Sequence, residues 1–148
     1  KKIESKAIAN QLIPVSDMNM IFRKSDYIVV ACPLTPLTQN LIDESKLKLM
    51  KDNAVLINIS RGHVINERHL IVSLKNKLIK GAALDVFVSE PLDSKSELYD
   101  LDNVLMSPHV SGNFPEYQRD MIIQYSTILE KFISRKALTN RVCKKRLY

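Results

Sequence analysis

Glycine is scarce. Only Gly62, Gly81 and Gly112 occur in 148 residues, and none are spaced to cradle a pyrophosphate at the start of a helix. Cysteine is scarcer still: Cys32 and Cys143 lie far apart, with no CxxC and no histidines at ligand spacing. Neither a disulfide framework nor a metal site is therefore expected, and a reducing, cytoplasmic setting fits. Long apolar runs are missing too. Pro33 and Pro36 interrupt the best candidate, which falls short of the roughly 20 apolar residues that a membrane span needs. No secretory signal is recognisable. The first residue is Lys1 rather than Met, so further residues upstream are expected.

What is present, 45% hydrophobic and 26% charged residues, suits one globular domain rather than a disordered chain. The net charge of +6 is scattered along the sequence until a basic tail, RVCKKRLY, at residues 141–148. Its one aromatic residue is Tyr148, too little for stacking on bases, so a solvated terminus is expected, with neither nucleic acid nor membrane as partner.

The stretch AVLINISRG at residues 54–62 organises the rest. It is an unbroken apolar run with β-branched residues, the pattern of a strand covered on both faces, and it stops at an arginine. Three more strands are predicted: DYIVVAC at 26–32, halted by Pro33, GAALDVF from Gly81, and NVLMSP from Asn103. Helices fill the intervals. Ser16 or Asp17 caps one through Phe22 that buries Met18, Ile21 and Phe22. Asp43 caps one to Met50 that buries Leu47 and Met50. Asn66 caps a third, with Leu70, Ile71, Leu74 and Leu78 as its buried stripe. A final helix opens at Pro115 and Glu116, carries Met121, Ile122, Tyr125, Leu129 and Phe132, and runs to about Arg135. Residues 1–10 are read as a short charged helix and LIPV at 12–15 as a short edge strand. Strands alternating with helices predict an α/β fold with a parallel sheet of right-handed crossovers.

In an open parallel sheet, ligands bind outside the carboxyl ends of the strands. Arg61, Glu90 and His109 each follow a predicted strand, so adjacent strands would bring all three to one rim. Each has a plainer reading: a surface ion-pair partner for the arginine, a loop residue for the glutamate, a turn or core residue for the histidine. His63 and His69 sit in no comparable setting and receive no role.

Four segments, in order, then carry a family resemblance: SDYIVVACPLTPLTQNLI, LINISRG, GAALDVFVSEPL and NVLMSPHVSG. Together they resemble the C-terminal half of the NAD(P)-binding domain of the D-isomer-specific 2-hydroxyacid dehydrogenases, a group that includes phosphoglycerate, lactate and glyoxylate/hydroxypyruvate enzymes. The resemblance implies a partial, Rossmann-like, doubly wound parallel sheet that lacks its first strand and GxGxxG loop. Residues 1–114 would belong to that domain and residues 115–148 would form a C-terminal helix and basic tail. It also implies Arg61 as the substrate arginine, Glu90 as the glutamate and His109 as the acid/base histidine. Cofactor contacts would fall on Cys32, Pro33, Thr38, Ile59, Ser60, Arg61, Asp85, His109, Ser111 and Gly112. Cys32, and the pair Gly112-Asn113 after the histidine, depart from the family's usual residues there.

These residue types suit reduction of a 2-keto acid. A guanidinium matches a carboxylate with two parallel bonds. A histidine can pass a proton near neutral pH, and a glutamate beside it orients the ring and favours the imidazolium. The hydride belongs to NAD or NADP, and the choice between them is not legible without the missing first half. The expected function is therefore a hydride-transferring oxidoreductase, assembled as a homo-oligomer, acting on a small 2-keto or 2-hydroxy acid, with this fragment alone inactive. The alternative is a non-catalytic NAD(H)-sensing interaction protein of the corepressor type. The missing strand would leave DYIVVAC with an uncovered edge, expected to recover its pairing from a second chain, from upstream residues or from a rearranged N-terminal segment.

Overall fold

A computed structural model of the chain describes residues 9, 11–139 and 141–144. Four parallel strands form a single sheet in the order β1 (Tyr27–Val30), β2 (Val55–Asn58), β3 (Gly81–Leu84) and β4 (Val104–Met106). Helices α1 (Asn19–Lys24), α2 (Glu44–Leu47) and α3 (Glu67–Lys75) connect or precede them, and α4 (Tyr117–Ile133) follows the last strand. The predicted α/β sheet of parallel strands is present, each strand shorter than its apolar run. In register, Val30 lies beside Asn58, Asn58 beside Leu84 and Leu84 beside Met106. The carboxyl ends therefore finish level, and the loops that follow them share one rim.

Because side chains alternate across a strand, one face carries Ile28, Val30, Leu56, Ala82 and Leu84, and these share a core with Phe22 of α1, Leu47 of α2 and Leu70 and Leu74 of α3. The other face carries Tyr27, Val29 and Leu105, all exposed. One helix layer is thus supplied here. The second layer of a doubly wound sheet has no counterpart among the described residues, α4 included, since α4 buries none of its residues. Its apolar residues Met121, Ile122, Tyr125, Leu129 and Phe132 face solvent.

Two predicted N-caps form. The Asp43 carboxylate accepts from Lys46 N at 3.1 Å, and the Asn66 side chain accepts from His69 N at 3.1 Å. Other expectations are corrected. Residues 12–15 are not a strand: Pro14 O accepts from Asp17 N at 2.9 Å, turning the chain into a 3-10 turn at Val15–Asp17. Ser16 and Asp17 lie inside that turn, so neither caps α1, whose N-cap is Met18. The helix begun at Asp43 ends at Leu47, although Leu47 and Met50 are buried as expected. Leu78 is exposed and Ile79 takes the core position, because Lys77 has φ 52 and the helical period stops before it. Pro115 lies outside α4, whose N-cap is Glu116. The helix expected over residues 1–10 lies outside the described residues except for Ala9, as does the end of the basic tail.

Among the described residues, β1 pairs with β2 alone. The rearranged N-terminal segment offered as one way to cover its outer edge does not do so among the described residues, and Tyr27 and Val29 stay exposed. Of the three expected routes to the lost pairing, this one is not taken among the described residues.

Candidate active site

At the end of β2 the chain turns outward over Ile59, Ser60 and Arg61. Asn58 is buried, and its side-chain oxygen accepts from Ser60 N at 3.1 Å and from Ser60 Oγ at 2.9 Å. Its amide nitrogen donates to Arg61 O at 3.1 Å. The exposed Arg61 side chain donates from Nη1 to Ser60 O at 2.6 Å. Gly62 comes next because nothing larger fits: a Cβ there would stand 2.0 Å from the Phe87 carbonyl carbon. The arginine tip is thus pressed directly against the loop that follows β3.

That loop carries Glu90. Its Oε1 accepts from Phe87 N at 3.0 Å, and its Oε2 lies 2.7 Å from His109 Nδ1. The His109 bond, then the Phe87 bond, hold the Glu90 carboxyl below its ordinary value against a smaller opposing effect of burial, and the Arg61 charge adds to the lowering. An ionised carboxylate can only accept, so Nδ1 carries the proton and Nε2 is left for another partner. His109 itself adopts φ 56, a left-handed backbone that costs a non-glycine residue about 1 kcal/mol or more and is found mainly where the surroundings enforce it.

Asp85, one residue past β3, does the enforcing. Its buried carboxylate accepts from Ser107 Oγ at 2.6 Å, Val110 N at 2.9 Å, Ser111 N at 3.1 Å and Ser111 Oγ at 2.6 Å. Burial alone would push its pKa up. The bonds from Ser107, Ser111 and Val110 outweigh it and bring the value down to about 2. Both oxygens are therefore engaged by the loop on either side of His109.

Two cavities open along the rim. One of about 500 Å³ is lined by Phe87, Glu90, Leu92, Tyr99, Met106 and His109. The other, about 450 Å³ at the ends of β1 and β2, is lined by Ala31, Cys32, Pro33, Leu34, Ile59, Ser60 and Arg61. The second gathers five of the residues expected at the cofactor. Thr38 does not line it: its hydroxyl donates to Pro33 O at 2.7 Å and accepts from Thr35 N at 2.7 Å, closing the proline loop on itself. Ser111 is spent on Asp85, and Gly112 is exposed with open space around it. Sequence reading missed Asn58 entirely, since one amide in an apolar run signals nothing by spacing, and also missed that the loop ending at Ile42 is tied by a parallel bridge to Ile65, just beyond the arginine turn.

The family model for the NAD-binding domain of D-isomer specific 2-hydroxyacid dehydrogenases matches residues 1–111. The chain belongs to this family. A glyoxylate reductase of Pyrococcus horikoshii is 48% identical over 99 residues, covering 67% of the chain and 28% of the relative. A glyoxylate/hydroxypyruvate reductase B of Enterobacter agglomerans is 45% identical over 96 residues, covering 65% and 30% respectively. Among solved structures, an NADPH-dependent glyoxylate/hydroxypyruvate reductase from Sinorhizobium meliloti, in complex with NADP and sulfate, superposes with a TM-score of 0.88 at 26% identity, covering 97% of this chain and 47% of that one. A D-isomer specific 2-hydroxyacid dehydrogenase from Xanthobacter autotrophicus, bound to NADPH and MES, gives 0.85 at 32% identity, covering 90% and 55%. The chain thus spans less than a third of those curated relatives and about half of those structures. Among the described residues, no helix is long and apolar enough to cross a membrane.

Proposed function

We propose that this chain is the nicotinamide-facing part of a larger NAD(P)-dependent reductase of small 2-keto acids, with glyoxylate and hydroxypyruvate as the first substrates to try. The carrying observation is the 2.7 Å pair of His109 Nδ1 and Glu90 Oε2, set across a close-packed seam from the Arg61 tip. The groove lined by Cys32, Pro33, Ile59, Ser60 and Arg61 suits the cofactor, which lies outside the carboxyl ends of strands in sheets of this kind. When bound, NAD or NADP supplies the hydride.

The chain's own residues do the rest. Arg61 pairs its guanidinium with the substrate carboxylate and polarises the neighbouring carbonyl. That requires it to exchange its bond to Ser60 O for the substrate. His109, held through Nδ1 by Glu90, presents Nε2–H in its protonated form and delivers the proton to the carbonyl oxygen as hydride reaches the carbon. The Glu90 carboxylate stabilises the imidazolium before transfer and fixes the ring afterwards. Association into dimers and a cytoplasmic setting belong to the same reading.

Replacing His109 with Ala in the full-length protein is expected to lower kcat for glyoxylate reduction by about 100- to 10,000-fold, followed as NADH or NADPH oxidation, far more than it weakens substrate binding. Unchanged turnover across several 2-keto acids would refute the assignment.

A further inference from the structure

Asn58 is 1% exposed, at the last position of a strand whose other buried side chain, Leu56, is apolar. An amide there is costly to desolvate unless every polar atom is satisfied, and a valine or isoleucine would suit the strand better. Its polar atoms are satisfied, and in one direction only. The side-chain oxygen takes both Ser60 N and Ser60 Oγ, and the nitrogen gives to Arg61 O. None of these bonds ties the core together. All of them close around the two residues that present the guanidinium.

We infer that Asn58 is a positioning residue for Arg61, a buried pin that fixes the strand-end turn so that the guanidinium points at the substrate carboxylate. The amide supplies an acceptor for Ser60 and a donor for the Arg61 carbonyl from one planar group. An aspartate would keep the first and set a carboxylate oxygen against Arg61 O. A leucine would keep neither and leave three polar groups without partners. Fixing the turn from the buried side also leaves the outer face of Ile59 and Ser60 open to the groove along β1 and β2.

The inference rests on the proposed reduction of 2-keto acids, and its test is a double-mutant cycle in the full-length protein, read as kcat/KM for glyoxylate. Asn58→Ala is expected to lower kcat/KM by about 10-fold or more, mostly through KM, since carboxylate holding is the function that moves. In the Arg61→Ala background the same substitution is expected to change kcat/KM by less than about 2-fold, because a pin without its guanidinium has nothing to position. If Asn58→Ala fails to fold, the cycle is run with Asn58→Asp, which keeps the shape and the Ser60 bonds and loses the bond to Arg61 O. An equal loss in both backgrounds would show Asn58 to be merely structural and overturn the inference, as would an unchanged KM. A parent protein that reduces no 2-keto acid would instead remove the proposed function, and the positioning role with it.

Discussion

The arginine tip after β2 and the histidine loop after β4 solve one problem with different chemistry. Each must hold a polar side chain outside the sheet in a fixed pose, and each is held from a buried residue at the carboxyl end of a strand. At Arg61 the pin is Asn58, neutral, serving two adjacent residues of its own turn. At His109 the pin is Asp85, an anion reaching across to a separate strand's loop and gripping Ser107, Val110 and Ser111. The neutral pin suffices where the backbone is extended, as at Arg61 with φ −146. The charged pin appears where a non-glycine residue is held at φ 56, and charge-assisted bonds are about twice as strong as neutral ones. The two tips therefore differ in how they respond to acid.

The largest effect on stability is expected at the seam between them. Gly62→Ala places a methyl 2.0 Å from Phe87 C and 2.5 Å from Val88 N, so backbone on one side must move. A loss of about 3 kcal/mol, the upper end for overpacking, is expected in chemical denaturation, along with reduced turnover, because the shift moves both tips at once. Next comes the anionic pin. The folded pKa of Asp85 is about 2, below its ordinary 3.8, so its contribution is fully present above about pH 4 and is lost as pH falls through 2. The difference corresponds to about 2 kcal/mol. Asp85→Asn is expected to remove a similar amount at neutral pH and to flatten this part of the stability profile between pH 5 and pH 2. Asn58 cannot titrate, so the arginine tip contributes no such slope. A mutant profile as steep as that of the parent would erase the distinction between the two pins.

Much of this is legible in the sequence. The four strands, the caps at Asp43 and Asn66, and the placing of Arg61, Glu90 and His109 on one rim follow from apolar runs that end in polar tips, a pattern set by burial on both sides of a strand. The pins were not. Asn58 interrupts an apolar run without altering its period, and the many bonds to Asp85 depend on a loop folding back from a strand that sequence spacing does not relate to it. The exposure of the α4 stripe was not legible for a different reason: its periodicity is real, but periodicity says that a helix has a side to bury and not that the partner lies in the same chain. Leu78 and Ile79 changed places because one left-handed residue, Lys77, reset the phase.

The central claim is that a guanidinium from one strand end and an imidazole from another act on the same small molecule. Affinity of the cofactor-bound full-length protein for oxalate, a non-reducible stand-in for a 2-keto acid, tests it most directly when measured for the parent, Arg61→Ala and His109→Ala. Both variants are expected to bind at least about 10-fold more weakly, each having lost a charge-assisted bond to the same ligand. Either variant binding oxalate as tightly as the parent would contradict a shared site.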